Sequence, residues 1–544
     1  ERADAKLSPT ARETMYQQKF HLYRNLTKPS ERLYLSFAKA GASGEAQNPS
    51  YLINEIRKLF PEIPVRDIEK EEKPEEKLEM PRSGEALFLE ELGRAAEGEI
   101  DPLFEELYRW YAAHPEAGIP AETYRKAAFL RCADGVIGKS AASALYGDTL
   151  KNSATRLEKY AACAFAHFME FGLQIRERDQ YELKAADMGT VMHEALEKFS
   201  KKLQENGETW KTVTDDTRDR LIEECVEETM ADYGNTIFQS SSRNQYRIIR
   251  VKRILKRTVW ALQQQIRQGE FEPGEFEVSF SMEDSLSAIN IDLSEHEKMR
   301  LRGRIDRVDL CETDDKVYVK IIDYKTGNTS LDLVALYYGL QLQLVVYMDA
   351  AMEMLRGQHP KKEILPGGIL YYHIDDPVLE SDTPLSDEEA EQALLFALRP
   401  DGLVNSGEEI YRAMDQNFEG KSQMIPVEIK KNGEISTARS KVASTEEFAV
   451  ITRYVEHEIR QCGEAIYAGN IAVNPYRSDI ETSCTYCPYG SVCGMDAKIP
   501  GYEYRQFASM KKEEVLDQMQ TELARNRGKE ERSDEMDEGT AERH

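Results

Sequence analysis

The sequence predicts an α/β protein in which a group of strands lies between long helical segments. Between residues 275 and 350, the segments EFEVSF, LRGRIDRVDL and KVYVKIIDYKTG are typical of strands. The preceding segments, including GTVMHEALEKFSKKL and residues 215–270, carry apolar residues at helical spacing. With 544 residues, of which 41% are hydrophobic and 31% charged, the chain is expected to form about two to four globular domains.

Five regions are predicted along the chain. Residues 1–60 contain a helix, a turn at Lys28 and Pro29, and a strand. The following regions are an acidic linker at 61–100, a helical connecting region at 101–150, the strand-bearing domain at 151–500 and a charged tail at 501–544. The first residue is not Met, and the opening residues look like the interior of a longer chain, so we expect a fragment.

The formal net charge of −27 argues against a surface that is coated for nucleic acid as a whole. However, the acidic residues are concentrated in the predicted linker and tail, and residues 243–267 contain eight basic residues and no acidic one. This stretch predicts either a track for a DNA backbone or a solvated helix face that balances acidic neighbours. The arginines assigned to the track are Arg247, Arg250, Arg253 and Arg257.

Two features bear on location. No apolar stretch is long enough to cross a bilayer, and no signal peptide is visible at the N-terminus. The sequence therefore predicts a cytoplasmic protein without membrane contact.

Two predicted strands carry aspartates where a buried strand would normally have Val or Ile. Alternate side chains of a strand share a face, so Asp323 and Lys325 project from the same side. The turn ETDDK allows the preceding strand to fold back antiparallel and to bring Asp306 beside Asp323. Converging carboxylates repel unless a cation lies between them, and their hard oxygen atoms suit Mg²⁺ or Mn²⁺. The alternative is an exposed strand edge with ordinary charged residues.

Lys325 would complete a hydrolytic site. Its ammonium group can orient an attacking water and offset developing negative charge, while a metal activates the water and polarises a phosphate. We therefore predict Asp306, Asp323 and Lys325 as catalytic residues.

The cysteines indicate a second ligand site. Disulfides are not expected in a cytosolic chain, and Cys484, Cys487 and Cys493 are grouped in CTYCPYGSVC. Cys163 is the natural fourth member, because it lies just before the strand-bearing region and the others lie just after it. Four thiolates can hold either structural zinc or an iron–sulfur cluster, and the spacing leaves both open. The cysteines without a partner pattern are Cys132, Cys225, Cys311 and Cys462.

The order GRID, then DYK after a hairpin, then a helix with QLVVY resembles the PD-(D/E)xK nuclease core in its RecB-type form. The resemblance implies a restriction-endonuclease-like fold with a mixed central sheet and extensive helical insertions. That family has a further metal ligand in a GxxxH pattern, here Gly189 and His193, although a lone His on a helix is otherwise more often structural. Its QLxxY residues support the site or contact DNA, which points to Gln343 and Tyr347, with the neighbouring Gln341 left open.

A wider set of motifs resembles the C-terminal half of the AddB family over about residues 10–500. The motifs are RLEKYAACAFAHF, GRIDRVD, DYKTG, LQLQLVVYMDAA and CTYCPYGSVC. AddB is the second subunit of bacterial AddAB helicase–nucleases, which act in double-strand break repair and homologous recombination. The resemblance implies Mg²⁺ held by His193, Asp306 and Asp323, and a [4Fe-4S] cluster held by Cys163, Cys484, Cys487 and Cys493.

The same resemblance implies a heterodimer with an AddA-like helicase–nuclease subunit, acting on single-stranded DNA from an unwound duplex. In that family AddB cuts the 5′-ended strand, and a part missing from this chain reads the Chi signal. Residues 20–38, FHLYRNLTKPSERLYLSFA, resemble motif VI of superfamily 1 helicases, with Lys28 in place of the usual Arg. That replacement implies the remnant of a helicase-like domain that does not hydrolyse ATP.

Two alternatives remain from the sequence. The chain could be an inert structural subunit that guides DNA, in which case no divalent metal would support cleavage. It could also be a stand-alone iron–sulfur nuclease of the Cas4 type, which the helicase-like residues and the long helical insertions disfavour.

Overall fold

A computed structural model describes residues 9–40, 46–66, 78, 83–96, 98, 102–129, 135–178, 180–233, 237–280, 286, 290–294, 297–381, 384–416, 418–478 and 481–541. The chain divides into two compact units, Glu1–Phe129 and Leu130–His544, which are described in turn. Among the described residues, no helix has the length and apolar character needed to span a membrane.

The first unit is helical. Its helices are α1 (Ala11–Thr27), α2 (Tyr51–Leu59), α3 (Ser83–Ala96), α4 (Pro102–Ala113) and α5 (Ala121–Ala128), with a 3-10 turn at Pro115–Ala117. Helices α3 to α5 share a small core that includes Leu87, Phe88, Leu92 and Tyr111. Helix α3 lies within the segment that was predicted as an acidic linker. This part of the segment is helical and packed, because its apolar residues are buried in the small core. Most of the charged run itself, residues 67–77, lies outside the described residues.

The helix predicted before Pro29 is present, but the strand predicted after it is not. Helix α1 ends at Thr27, in keeping with the restriction that a proline places on the residues before it. Residues 32–38 have no regular structure, and the side chain of Tyr34 is 82% exposed. A strand needs a neighbour for its backbone N–H and C=O groups, and the described residues of this unit provide only an isolated bridge between Ala40 and Ala46. The strand prediction was wrong.

The second unit contains the remaining helices and all eleven strands found in the described part of the chain. The helices are α6 (Lys139–Tyr146), α7 (Ala154–Ala162), α8 (Ala164–His167), α9 (Ala185–Glu205), α10 (Asp215–Asp232), α11 (Ser242–Gln268), α12 (Leu333–Tyr337), α13 (Gln343–Gln358), α14 (Asp387–Ala397), α15 (Glu408–Met414), α16 (Thr445–Tyr467), α17 (Gly490–Cys493) and α18 (Lys512–Ala541). A π-helical turn follows α8 at Phe168–Gly172, and a 3-10 turn lies at Ile237–Gln239.

The strands form one large and two small sheets. They are β1 (Thr149–Asn152), β2 (Glu272–Phe280), β3 (Asn290–Asp292), β4 (Lys298–Leu301), β5 (Gly303–Glu312), β6 (Lys316–Lys325), β7 (Glu363–His373), β8 (Asp401–Asn405), β9 (Val442–Ala443), β10 (Tyr476–Arg477) and β11 (Arg505–Gln506). The six-stranded sheet has the order β2-β5-β6-β7-β8-β9, and the small sheets are β1-β4-β3 and β10-β11. In the large sheet, β6 is antiparallel to β5 and parallel to β7. The sheet is therefore mixed, and the predicted α/β class is confirmed.

Strand β6 lies inside the large sheet and is buried on both faces. Val319 and Ile321 contribute to a core with helices α13 and α16, whereas Ile322 and Tyr324 contribute to a core with α9, α10 and α11. This arrangement explains the nearly continuous apolar run KVYVKII, which is typical of a strand covered on both sides. The same alternation places Asp323 on the α13 face of the sheet.

The segment predicted as a charged tail packs in part against the protein core. Helix α18 buries Val515, Leu516 and Met519 in the core that contains α13 and α16. The hydroxyl of Tyr337 donates a hydrogen bond of 2.6 Å to Glu522 Oε1 on the same helix. The charge of the segment therefore conceals one apolar helix face.

An ion group lies within strands β5 and β6, in which Arg307 and Asp309 are fully buried and Lys320 is mostly buried. Asp309 Oδ2 is 2.7 Å from Arg307 Nη2 and 2.9 Å from Lys320 Nζ. Burial alone would raise the pKa of Asp309, but the two cations lower it below its usual value. The carboxylate is thus fully compensated, and each partner depends on the others to avoid an unpaired buried charge.

Asp309→Asn should lower the free energy of unfolding by about 3–5 kcal/mol, because it leaves the buried Arg307 and Lys320 without their counter-charge. Chemical denaturation at neutral pH measures this change. Glu312→Gln is the matched control on the same strand, because Glu312 pairs with Lys362 at the exposed end and its removal should leave stability nearly unchanged. Equal denaturation midpoints for Asp309→Asn and the wild-type protein would contradict the role of the ion group.

Candidate active site

Asp306 and Asp323 lie where strands β5 and β6 separate. Backbone pairing between the strands runs from Glu312 opposite Val317 to Arg307 opposite Ile322. At the next position the Asp306 side chain replaces a strand carbonyl, because its Oδ2 atom accepts a hydrogen bond of 2.7 Å from the backbone N–H of Tyr324. The predicted hairpin thus brings the two aspartates together at its open end.

The Asp323 carboxylate is buried and incompletely compensated. Asp323 is only 3% exposed. Burial together with the charge of Asp306 raises the pKa of Asp323 to about 6. Lys325 opposes this rise. Asp323 Oδ2 lies 2.6 Å from Lys325 Nζ and forms an ion pair with it. A cation between the aspartates would stabilise both charged forms.

Helix α9 brings the predicted histidine to the same place. His193 Nδ1 lies 3.3 Å from Asp306 Oδ2, and its ring meets the Tyr324 ring edge to face at 5.8 Å between centroids. Gly189 lies one turn before it on the helix. A Cβ atom at Gly189 would lie 3.3 Å from Thr326 Oγ1, so glycine permits the close approach of α9 to the end of β6.

Helix α13 holds the ammonium group of Lys325. Lys325 Nζ donates a hydrogen bond of 3.1 Å to Gln343 Oε1, and Gln343 Nε2 donates one of 2.9 Å to the Tyr347 hydroxyl. Burial raises the pKa of Tyr347 to about 12, so its hydroxyl remains neutral at ordinary pH. Gln341 is directed elsewhere, because its Nε2 atom donates to the carbonyl of Ser330. The structure therefore brings Gln343 and Tyr347 to the site and leaves Gln341 outside it.

One site residue was missed by the sequence reasoning. Glu158 on helix α7 accepts hydrogen bonds from the backbone N–H groups of Leu342 at 2.8 Å and Gln343 at 3.0 Å. Burial raises the pKa of Glu158, although both N–H groups and Lys325 favour its charged form. A glutamate on an amphipathic helix gives no local signal for such a role, because its partners lie more than 180 residues away in the sequence.

The donors at the site fit a divalent cation. Two carboxylates and an imidazole form a suitable ligand set, and burial beside Asp306 disfavours the charged form of Asp323 unless a further cation is present. Within the described residues, however, no group of three His, Cys, Asp or Glu side chains is arranged to hold a metal ion as it stands. The side chains would therefore have to adjust on binding. Nucleases with this type of core typically use divalent metals.

The four predicted cysteine ligands line one small cavity. Cys163 follows the end of α7, and Cys484, Cys487 and Cys493 lie in the loop and short helix near residue 490. Apolar residues such as Phe165 complete the lining. Burial raises the pKa of Cys484, and the three other thiols are close enough to raise it further. Thiol donors suit a soft metal or an iron–sulfur cluster, although these four described cysteines are not arranged to hold a metal ion as they stand.

The arginines predicted as a DNA track lie on helix α11 in different surroundings. Arg253 and Arg257 both form ion pairs with Asp376. Arg247 Nη1 donates to the carbonyl of Leu183 at 3.4 Å, and Arg250 is exposed. Much of the positive charge on this helix is thus balanced by acidic neighbours, and the DNA track remains a prediction.

The sheet and the site together define the class of the protein. Two carboxylates and a lysine lie at the open end of a hairpin within a mixed sheet covered by helices, an arrangement that suits metal-assisted phosphodiester hydrolysis. The family model of the PD-(D/E)XK nuclease superfamily matches residues 151–494, which is well over half of the chain. The chain belongs to this superfamily.

Curated relatives narrow the resemblance to the AddB subunits of ATP-dependent helicase/deoxyribonucleases. The chain is 42% identical over 522 residues to the AddB protein of Lachnoclostridium phytofermentans, covering 94% of this chain and 44% of that protein. The AddB protein of Clostridium botulinum is 35% identical over 93% of this chain and 44% of its own length. The AddB protein of Thermoanaerobacter sp. is 33% identical over 96% of this chain and 45% of its own length. The predicted resemblance is confirmed, and the chain spans less than half the length of these relatives.

Addition of Mg²⁺ or Mn²⁺ should raise the thermal unfolding midpoint of the protein, because a ligand that binds only the folded state stabilises it. At a metal concentration about 100-fold above the dissociation constant, the gain in free energy is about 2.7 kcal/mol. Asp323→Asn should abolish this rise, whereas Glu312→Gln on the neighbouring strand should retain it. A full metal-dependent rise in Asp323→Asn would contradict the site.

Proposed function

We propose that this chain is the DNA-cutting part of the AddB subunit of a bacterial AddAB-type helicase–nuclease, acting in double-strand break repair and homologous recombination. The observation that carries the proposal is the convergence of Asp306, Asp323 and Lys325 within a PD-(D/E)XK nuclease domain. The relatives support this assignment, since each is named as the corresponding subunit of an ATP-dependent helicase/deoxyribonuclease.

His193, Asp306 and Asp323 would hold Mg²⁺ at the open end of the hairpin. The cation, when bound, supplies Lewis-acid activation of the phosphodiester and of the attacking water. Asp306 is oriented for this task by the Tyr324 N–H group, which fixes one of its oxygen atoms. Asp323 gains most from the cation, because its burial next to another carboxylate otherwise disfavours its charged form.

Lys325 would act on the reacting groups directly. Its ammonium group, held between Asp323 and Gln343, can orient the water and offset the negative charge that develops on the phosphate. Gln343 and Tyr347 would keep the ammonium in position through their chain of hydrogen bonds. Bond cleavage leaves a phosphate on one side and a hydroxyl on the other, with water as the only further reactant.

The cysteine cavity would hold a [4Fe-4S] cluster that ties the two ends of the nuclease domain together. Cys163 comes from the start of the domain, and Cys484, Cys487 and Cys493 from its end. Such a link restricts the unfolded chain by closing a long loop, so it stabilises the fold without a redox role.

The remaining parts of the proposal concern partners and polarity. An AddA-like helicase–nuclease subunit would form the heterodimer and deliver the separated strands of an unwound duplex. This chain would cut the 5′-ended strand in the 5′ to 3′ direction. Arg247 and Arg250 on α11 would contribute more to the DNA track than Arg253 and Arg257, which share an ion pair with Asp376. Chi recognition would belong to the part of the subunit outside this chain.

Lys325→Ala should lower the rate constant of cleavage by about 10²- to 10³-fold, because it removes a preorganised positive group from the reacting phosphate. Asp323→Ala should abolish cutting while the domain stays folded, and Gln341→Ala is the neutral control. The assay follows single-stranded DNA labelled at either end, with Mg²⁺ or with chelator. An inactive wild-type protein with both Mg²⁺ and Mn²⁺ would favour the inert, DNA-guiding alternative instead.

Anaerobically purified protein should contain about four iron atoms per chain and show visible iron–sulfur absorbance. Cys484→Ser should lose both signals, because it removes one of the four thiolates. Cys462→Ser should keep them, since Cys462 is buried in a core away from the cavity. A measurement of one zinc atom per chain and no iron would contradict the cluster and indicate a structural zinc site instead.

A further inference from the structure

We propose that Glu158 is a positioning residue for Lys325. Glu158 caps the first turn of helix α13 and thereby fixes Gln343, which in turn holds the lysine. This inference rests on the proposed nuclease function. No comparison and no sequence motif assigns a role to Glu158.

The cap satisfies backbone groups that α13 cannot satisfy itself. The first N–H groups of a helix have no partner within the helix, and the residue before α13, Leu342, has no side chain that could cap it. Glu158 accepts from Leu342 N and Gln343 N through the same oxygen atom, Oε1. A carboxylate at this position also interacts favourably with the positive end of the helix dipole.

The capped residue is the one that contacts the catalytic lysine. Gln343 is the first residue of α13, and its side chain bridges Lys325 Nζ and the Tyr347 hydroxyl. Helix ends fray, and Gln343 is at such an end. If the backbone of Gln343 moved, its side-chain amide oxygen would move away from Lys325. Of these two contacts, the lysine would then keep only the ion pair with Asp323.

Helix α7 is itself held firmly, so it can serve as a fixed support. Its C-terminal end is capped by Arg505, whose Nη2 atom donates to the carbonyls of Ala161 and Ala162, the latter at 3.2 Å. The turn before α13 packs directly on this helix, because a Cβ atom at Gly339 would lie 3.0 Å from the Cβ atom of Ala161. Glu158 therefore joins two elements that already touch.

The charge of Glu158 also reaches the site. Its carboxylate interacts attractively with Lys325 and repulsively with Asp323. Glutamine at this position would keep an oxygen atom for the two N–H groups but would lose this charge.

The test is a double-mutant cycle in the whole chain, with Glu158→Ala, Gln343→Ala and the double variant. Glu158→Ala should lower kcat by about 10- to 100-fold, as expected for a displaced catalytic group, while KM for single-stranded DNA stays within about twofold. In the Gln343→Ala background, the same change should have little further effect, because both residues act on one group. Glu158→Gln should restore part of kcat.

Hydrogen exchange provides a readout that does not depend on activity. The peptide that covers residues 338–348 should exchange faster in Glu158→Ala and remain protected in Glu158→Gln. The matched control is Glu170→Gln, which removes a nearby glutamate whose partner is Lys159 at 3.3 Å and should change neither exchange in this peptide nor kcat.

The inference is overturned if the losses in kcat from Glu158→Ala and Gln343→Ala multiply, or if exchange accelerates while kcat stays unchanged. In either case Glu158 would cap the helix without positioning the lysine. These outcomes presuppose an active wild-type protein. A wild-type protein that fails to cut DNA with Mg²⁺ and Mn²⁺ would instead sink the proposed function itself, and the exchange measurement would still decide whether the cap exists.

Discussion

The hydrogen bond from the Tyr324 N–H group to the Asp306 carboxylate is the contact on which the site depends. It ends the β5–β6 ladder with a side chain, so that one acidic group stays fixed while the strands part. Strand β6 does not lose its shape there, because its parallel pairing with β7 continues as far as Lys325 opposite His373. One side of the strand is thus opened for chemistry, and the other side remains a rigid backbone support.

Two neighbouring groups of charged side chains in strands β5 and β6 differ in how fully their charges are compensated. In the group of Arg307, Asp309 and Lys320, the buried Asp309 carboxylate is compensated by both cations, and the group serves stability. Close by, at the ends of β5 and β6, burial of Asp323 and the nearby charge of Asp306 raise the pKa of Asp323. Uncompensated charge at a buried position costs stability, so its presence beside a fully balanced group marks the position where a ligand is expected.

Sequence patterns predicted the features that depend on local order. The period of two placed Asp323 and Lys325 on one face, and the short turn placed Asp306 opposite them. The contributions that were not predicted depend on partners far away in the sequence. Glu158 caps a helix more than 180 residues later, and Asp376 forms ion pairs with two arginines that look free in the sequence of α11. Helix α18, likewise, looks like a solvated tail until the core that covers its apolar face is known.

The separation of the cysteines along the chain has a consequence for biosynthesis. Cys163 emerges from the ribosome roughly 320 residues before Cys484, which at typical elongation rates is a delay of roughly a quarter of a minute to a minute. The aspartate hairpin, by contrast, is complete as soon as its two adjacent strands have been made. Any prosthetic group that needs all four thiols can therefore be completed only after translation of the domain is nearly finished, and the first thiol has no partner thiol from this set in the interval.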